Sequence, residues 1–125
     1  MAIAERRLAK MFNTAEHTVV DHHTYAIVGD GDLMEGIVAE AASMAGHLGL
    51  GRLICLYDDN DIQIEGATDL VFTEDVAARY RAYGWHVIGP VDGNDLAAVE
   101  TALHEARGES ARPSLIICRT VIGFG

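Results

Sequence analysis

The sequence has few basic residues and no long apolar run. Only 9 Lys and Arg stand against 19 Asp and Glu, which gives a formal net charge of −10. A chain without a basic patch is poorly suited to a nucleic-acid backbone, so we expect no nucleic-acid partner. No apolar run approaches the roughly 18 residues of a membrane span, and no signal segment opens the chain. These features predict a soluble, cytoplasmic protein with no membrane partner.

Cysteine is also scarce, and the histidines lack the further ligands that a metal site would need. Cys55 and Cys118 each lie inside an apolar run without C-x-x-C spacing, so we expect two reduced core thiols. His17, His22 and His23 share a polar segment but have no further ligand at a spacing that would complete a tetrahedral zinc site. Zinc is therefore not predicted, and these three histidines receive no role.

The rest of the chain alternates between helical and extended apolar patterns. Half of the 125 residues are apolar, which argues against disorder and suits one folded domain. This order predicts an α/β fold, a doubly wound and mostly parallel sheet with helices on its faces. We expect the first strand to be covered on both faces, and Ile37 and Met44 to lie on the buried stripe of the second helix. Predicted helices cover 1–12, 37–48, 73–84 and 96–108, predicted strands cover 25–28, 53–57, 85–88 and 115–118, and 66–71 is a predicted loop.

Two polar turns interrupt this pattern. Gly29-Asp30-Gly31 follows the first strand, and Asp58-Asp59-Asn60-Asp61 follows the second. The 28 residues between Gly31 and Asn60 leave room for one helix and one strand. The two turns should therefore end adjacent parallel strands and face the same crevice.

The residue types in these turns suit a metal-bound phosphate. Mg²⁺ prefers about six oxygens and usually takes one or two carboxylates, with phosphate oxygens and water completing the shell. Asp30 can supply a carboxylate oxygen, Asn60 an amide oxygen, and a backbone carbonyl just after Asn60 a third. The Gly31 N–H, with no Cβ to obstruct it, can approach a diphosphate oxygen. The alternative is that residues 58–61 form only a solvated, acid-rich turn.

Other metal and phosphate motifs do not fit these turns. An EF-hand is excluded because Ile62 and Ile64 occupy oxygen-ligand positions counted from Asp58. The dinucleotide fingerprint fails because Met34 stands where it needs a small residue. No G-K-[ST] triplet indicates a P-loop.

The sequence around both turns resembles that of the transketolase family of thiamine diphosphate enzymes. The motifs are G-D-G-D-L-M-E-G-I, L-Y-D-D-N-D-I-Q-I-E-G-A-T, A-Y-G-W-H-V and P-S-L-I-I-C-R-T-V-I-G-F-G, and the similarity covers essentially all of 1–125. The resemblance implies a thiamine diphosphate-binding fold, with 1–125 as a single partial domain from the N-terminal diphosphate-binding part of such an enzyme.

The resemblance also assigns site residues. Gly29, Asp30 and Gly31 would form the diphosphate signature, with Asp30 on Mg²⁺ or Ca²⁺. Asn60 would bind both metal and diphosphate, and Ile62 would offer its backbone carbonyl to the metal.

Two further residues, Ile64 and Glu35, each have two possible roles. Ile64 would pack near the thiazolium ring, or serve as a core residue of a short strand. Glu35 would lie between the two active sites of a dimer, or simply be an acid stabilised at a helix N-terminus.

The activity implied by the resemblance is transfer of a two-carbon ketol unit from a ketose phosphate to an aldose phosphate in the pentose phosphate pathway. The cofactor supplies the carbanion, and a glutamate from a second, pyrimidine-binding domain of a homodimer partner activates it. No such domain is in this chain, so we expect the 125 residues alone to be inactive. Alternatives are another thiamine diphosphate enzyme, such as dihydroxyacetone synthase, deoxyxylulose phosphate synthase or a pyruvate dehydrogenase component, or a non-catalytic Mg-diphosphate-binding subunit that needs a partner chain.

Overall fold

A sheet of four parallel strands forms the centre of the chain. The computed structural model describes residues 1–63 and 66–124. The strand order is β1-β2-β6-β5, with a separate antiparallel ribbon of β3 and β4. The predicted parallel α/β sheet is confirmed. The strands are β1 Thr24–Gly29, β2 Leu53–Asp59, β3 Ile62–Gln63, β4 Gly66–Ala67, β5 His86–Asp92 and β6 Ser114–Arg119.

Helices cover both faces of this sheet, as the doubly wound prediction requires. The helices are α1 Ala2–Phe12, α2 Asp30–Leu33, α3 Gly36–Leu48, α4 Val76–Ala82 and α5 Leu96–Gly108. Side chains of α3 and α4 pack in one core cluster with Trp85 and Leu115. Side chains of α5 pack in a second cluster with Ile54 and Ile116. Within the described residues, no helix has both the length and the apolar content needed to span a membrane.

The first strand is not covered on both faces, contrary to the prediction. Ile27 is 78% exposed and Tyr25 is 42% exposed. β1 lies at the edge of the four-stranded sheet, and α5 packs mainly on β5 and β6, reaching β1 through the contact of Arg107 with Tyr25. The apolar run therefore identified a strand correctly but not what lies against its outer face.

The buried stripe of α3 was also predicted wrongly in part. Ile37 is 69% exposed and Met44 is 50% exposed, whereas Ala42 and Ala45 are buried. The Trp85 indole N–H donates to the Ala42 carbonyl over 2.8 Å, so this face of α3 lies close to its neighbours. Small side chains are needed at such a close approach, and the larger ones point away from it.

Several boundaries differ from the predictions. The stretch predicted as a loop at 66–71 holds β4 and a 3₁₀ turn, Thr68–Leu70. The helix predicted to begin at Thr73 begins at Val76, because the Asp75 carboxylate accepts the Ala78 N–H over 2.8 Å and caps it there. β2 continues through Asp58 and Asp59, which were expected to end it.

The cysteines form no disulfide. Cys118 is buried and Cys55 is partly buried, and both are free thiols as predicted. Burial raises the pKa of the Cys55 thiol to about 11, so it stays protonated at neutral pH.

Candidate functional site

The two polar turns lie side by side, as predicted. β1 and β2 pair in parallel, and their last partners are Gly29 and Asp58. Just beyond this pair, the Asn60 backbone N–H donates to Oδ2 of Asp30 over 3.3 Å. The carboxyl ends of two adjacent strands thus bring the Asp30 carboxylate and the Asn60 residue into direct contact.

Asp30 is buried and held by a neighbouring strand. It is the first residue of α2 and is only 3% exposed. The Tyr57 hydroxyl, from β2, donates to Oδ1 of Asp30. Burial, with the Asp30 hydrogen bond and the nearby Asp59 carboxylate, raises the pKa of Tyr57 well above its usual range, so the phenol keeps its proton and remains a donor. Oδ1 is therefore occupied within the protein, and Oδ2 is the oxygen left nearer to Asn60.

Asp32 has a local structural task. Its Oδ2 accepts the Gly29 N–H over 2.8 Å, which closes the turn between β1 and α2. This hydrogen bond gives Asp32 a structural role that Asp30 does not share. It agrees with the interpretation that only one carboxylate of this turn binds a ligand.

The Asn60 side chain is fixed at both ends of its amide. Its Nδ2 donates to Oδ2 of Asp58 over 3.0 Å, and its Oδ1 accepts the Ile62 N–H over 3.0 Å. The Thr120 hydroxyl donates to the other carboxylate oxygen of Asp58. The amide oxygen of Asn60 is thus on the side of Ile62, and the nitrogen is on the side of Asp58.

The remaining acids of the second turn, Asp59 and Asp61, both pair with Arg119 of β6. One guanidinium nitrogen of Arg119 lies 3.2 Å from Asp59 Oδ1 and 2.9 Å from Asp61 Oδ2. Burial raises the pKa of Asp59, while Arg119 opposes that rise. Asp61 itself adopts a left-handed backbone at φ 59°, which Asp tolerates in turns. The second turn is therefore a network of partnered acids rather than a freely solvated loop.

An open cleft of about 870 Å³ lies in front of these residues. A Cβ placed on Gly31 would meet nothing within 4 Å, so no chain contact explains the glycine, and the position that a side chain would fill is open. The cleft is lined by Gly29, Asp30, Gly31, Asp32, Met34, Glu35, Asn60, Ile62 and Ile122. Its wall thus combines the predicted polar residues with three apolar side chains.

Of the two residues with two possible roles, the structure describes Glu35 but not Ile64. Glu35 occupies the N-cap position of α3, is exposed and lines the cleft, but its side chain makes no capping hydrogen bond. Ile64 lies outside the described residues.

The donor set predicted from the sequence fits a hard divalent cation. It would consist of a carboxylate oxygen of Asp30, the amide oxygen of Asn60 and the backbone carbonyl of Ile62, all of them oxygens. Among the residues that the structure describes, no three His, Cys, Asp or Glu side chains group closely enough for a metal. A metal held here would therefore need amide, backbone and ligand oxygens, which is how Mg²⁺ is usually bound with phosphates.

Sequence reasoning missed the supporting residues Tyr57, Thr120 and Arg119. Tyr57 ends an apolar run and was counted as a strand residue, and the other two lie about sixty residues from the turn that they contact. The alternation of β2 was the available signal, because Tyr57 and Asp59 point to the same side of a strand.

The fold and the two turns define a class of α/β protein that binds its ligand at the carboxyl ends of parallel strands. The family model described as transketolase, thiamine diphosphate binding domain, matches residues 1–125. The chain belongs to this family.

Individual relatives agree. The chain is 58% identical over 125 residues to the plasmid transketolase of Cupriavidus necator and 54% identical to transketolase 1 of Escherichia coli K12. Both alignments include 100% of this chain but only 19% of the relative. A structure of a transketolase complex with sedoheptulose-7-phosphate from Pichia stipitis matches with a TM-score of 0.97 at 46% identity, over 99% of this chain and 18% of that one. Transketolase from Leishmania mexicana matches with a TM-score of 0.95 at 48% identity, over 99% of this chain and 19% of that one. The chain thus spans about a fifth of the length of these relatives.

Proposed function

We propose that this chain holds the diphosphate of thiamine diphosphate through one divalent cation, Mg²⁺ or Ca²⁺. The observation that carries the proposal is the contact between Asp30 and Asn60, at the ends of two adjacent parallel strands and beside an open cleft. Membership in the thiamine diphosphate-binding family supports the choice of cofactor.

The proposed roles follow from the donor atoms. Oδ2 of Asp30, Oδ1 of Asn60 and the carbonyl of Ile62 bind the cation, and the Gly31 N–H binds a diphosphate oxygen. Gly29 completes the turn that brings Asp30 to the cleft. One ionised ligand matches the charge of a metal-diphosphate pair, whereas several unpartnered acids would repel the phosphates. Arg119 serves this balance by pairing with Asp59 and Asp61.

We propose further that the whole protein is a transketolase. It would move a two-carbon ketol unit from a ketose phosphate to an aldose phosphate, and bound thiamine diphosphate would supply the carbanion chemistry. This chain would contribute cofactor binding, as the diphosphate-binding part of the N-terminal domain. Solved relatives described as complexes with sedoheptulose-7-phosphate and fructose-6-phosphate support sugar phosphates as the substrate class.

Glu35 is proposed as the residue that connects the two active sites of a dimer, since it is exposed at the cleft and makes no capping bond that would otherwise explain it. Ile64 is proposed as a contact of the thiazolium ring.

The partner is proposed to be a second copy of the protein, or a chain carrying the pyrimidine-binding domain. Exposed apolar side chains on β1 and α3, among them Ile27 and Ile37, support a covered surface of this kind. The proposed location is the cytoplasm, where the pentose phosphate pathway operates. Another thiamine diphosphate enzyme, or a non-catalytic subunit with the same site, is the alternative.

Calorimetric titration tests the proposal. The chain is titrated with thiamine diphosphate with and without Mg²⁺, beside Asp30→Ala and the exposed control Asp69→Ala. We expect weak binding that requires the metal, that Asp69→Ala keeps and that Asp30→Ala loses. Equal binding by all three proteins would remove Asp30 from the site. Ketol transfer, assayed with the purified chain, is expected to be undetectable.

A further inference from the structure

Asn60 is useful to a cation only if its oxygen faces the ion. An amide side chain has an acceptor end and a donor end of nearly equal shape, and rotation by about 180° exchanges them. With the nitrogen turned toward the cleft, two N–H groups would meet the cation and binding would weaken. The structure must therefore contain something that selects one orientation.

Asp58 can make that selection. An ionised carboxylate accepts hydrogen bonds but cannot donate them, so it can face only the NH₂ end of an amide. Oδ2 of Asp58 accepts from Nδ2 of Asn60 over 3.0 Å, and the amide oxygen is left on the side of Ile62, which lines the cleft. Asp58 is not among the described residues that line the cleft, so it acts through Asn60 rather than on a ligand.

Thr120 holds Asp58 in turn. Its hydroxyl donates to the second carboxylate oxygen of Asp58, and its backbone N–H donates to the Asp59 carbonyl over 3.2 Å. Thr120 directly follows β6, whose residues Cys118 and Arg119 pair with Asp58 and Asp59. The register of β2 against β6 thus sets the position of Thr120, and both oxygens of Asp58 are occupied by donors.

We propose that Asp58, held by Thr120, is a positioning residue that keeps the Asn60 amide oxygen toward the cation. The proposal rests on the proposed metal site, and it adds two residues to which no ligand role has been given. It also separates the acids of the turn by task, because Asp59 and Asp61 pair with Arg119 while Asp58 orients a ligand.

The variants for a test are available within the same turn. Asp58→Ala removes both carboxylate oxygens, so the Asn60 NH₂ group and the Thr120 hydroxyl both lose their acceptor. Asp61→Asn is the charge control: it removes one negative charge from the same turn, the Asp61 side chain is hydrogen-bonded to Arg119, and Asn tolerates its left-handed backbone. Thr120→Val removes the hydroxyl at constant shape, and Thr120→Ser restores it.

Mn²⁺ serves as the probe, with binding followed by the loss of the free-ion electron paramagnetic resonance signal in the presence of thiamine diphosphate. We expect Asp58→Ala to weaken Mn²⁺ binding about tenfold or more, which is the usual effect of removing a residue that orients a metal ligand. Asp61→Asn should change it by about twofold or less, through charge alone. Thr120→Val should weaken binding by a few-fold and Thr120→Ser should restore it, with both metal-free Thr120 variants folded at the temperature of the titration.

Equal weakening by Asp58→Ala and Asp61→Asn would overturn the inference, since Asp58 would then act only as a charge. Should Asp58→Ala fail to fold, the Val and Ser variants at Thr120 decide, and equal binding by both overturns the inference. A failure of the metal site itself is distinguishable: the wild-type chain would not bind Mn²⁺, or Asp30→Ala would bind it as well as the wild type.

Discussion

The Tyr57 hydroxyl on β2 donates a hydrogen bond to the Asp30 carboxylate at the end of β1, and both residues are only 3% exposed. A buried carboxylate needs its hydrogen bonds, because the cost of leaving one unmade is larger than the net gain of making it. This contact therefore both stabilises the edge of the sheet and determines which oxygen of Asp30 remains available to a ligand.

Tyr57→Phe tests that contact. The variant leaves Oδ1 of Asp30 buried without its donor, so we expect the free energy of unfolding to fall by about 1–3 kcal/mol. Urea denaturation measures the loss. Tyr25→Phe is the matched control, because the Tyr25 hydroxyl accepts from the exposed Arg107 and should matter little. Similar losses for both variants would show that the Tyr57 hydroxyl has no special role.

Gly31→Ala should separate stability from binding. A Cβ at Gly31 meets no chain atom within 4 Å, so the free energy of unfolding should stay the same or rise slightly, by up to about 1 kcal/mol, because Gly31 lies in α2. Thiamine diphosphate titration should show weakened binding, since the methyl group enters the space beside the N–H.

Gly46→Ala is the opposite case and serves as the control. Its Cβ would overlap the Tyr83 carbonyl oxygen, so we expect a loss of about 1–3 kcal/mol in unfolding free energy. The folded fraction should still bind the cofactor. Unchanged cofactor binding in Gly31→Ala would contradict the proposed diphosphate contact.

Arg119→Gln should weaken cofactor binding, although Arg119 is not one of the proposed ligands of the cofactor or the metal. The change leaves Asp59 and Asp61 without their cation, which makes the turn more repulsive to a diphosphate. We expect binding to weaken a few-fold at low salt and the difference to shrink as salt screens the charges. Arg112→Gln breaks the exposed pair with Glu109 and is the control. A difference that does not depend on salt would argue against this electrostatic account.

The pH dependence of stability should include a contribution from His23. Burial and the nearby Arg52 and Arg107 lower the pKa of His23 from its ordinary value of about 6.5. The unfolded chain therefore takes up the proton first on acidification. The contribution to stability is complete above about pH 6.5 and is lost as the pH falls through the lowered folded value.

Urea denaturation between pH 7.5 and pH 5 measures this contribution. The stability advantage of the wild type over His23→Gln should shrink across that range, partly because protonation removes the acceptor of the Arg52 contact at 3.2 Å. His22→Gln, at an exposed neighbour, is the control. An advantage that stays constant with pH would contradict the assignment.

Adjacency of the two turns could be predicted from the sequence, because one crossover between parallel strands brings their carboxyl ends together. The contact between Asp30 and Asn60 was predicted in this way. The role of Tyr57 was not predicted, because its hydroxyl reaches Asp30 only through the strand register that pairs Gly29 with Asp58. The role of Thr120 likewise depends on the pairing of β2 with β6, which no local pattern encodes.

The predictions of burial failed for a different reason. Periodicity identifies the apolar side of an element, but it does not say whether another element lies against it. Ile27 and Ile37 have the residue type of a core, yet both side chains are more than two-thirds exposed in the part of the chain that the structure describes. Alanines on α3 took the buried positions because the helix approaches Trp85 closely.

The central claim is that Asp30 and Asn60 share one divalent ion. Crystals of the chain grown with Mn²⁺ and thiamine diphosphate, with anomalous diffraction to locate the metal, test it directly. The account predicts one Mn²⁺ at about 2.1 Å from Oδ2 of Asp30, Oδ1 of Asn60 and the Ile62 carbonyl, with diphosphate oxygens completing the shell. An Mn²⁺ bound elsewhere, or a diphosphate held away from the Gly31 N–H, would contradict it.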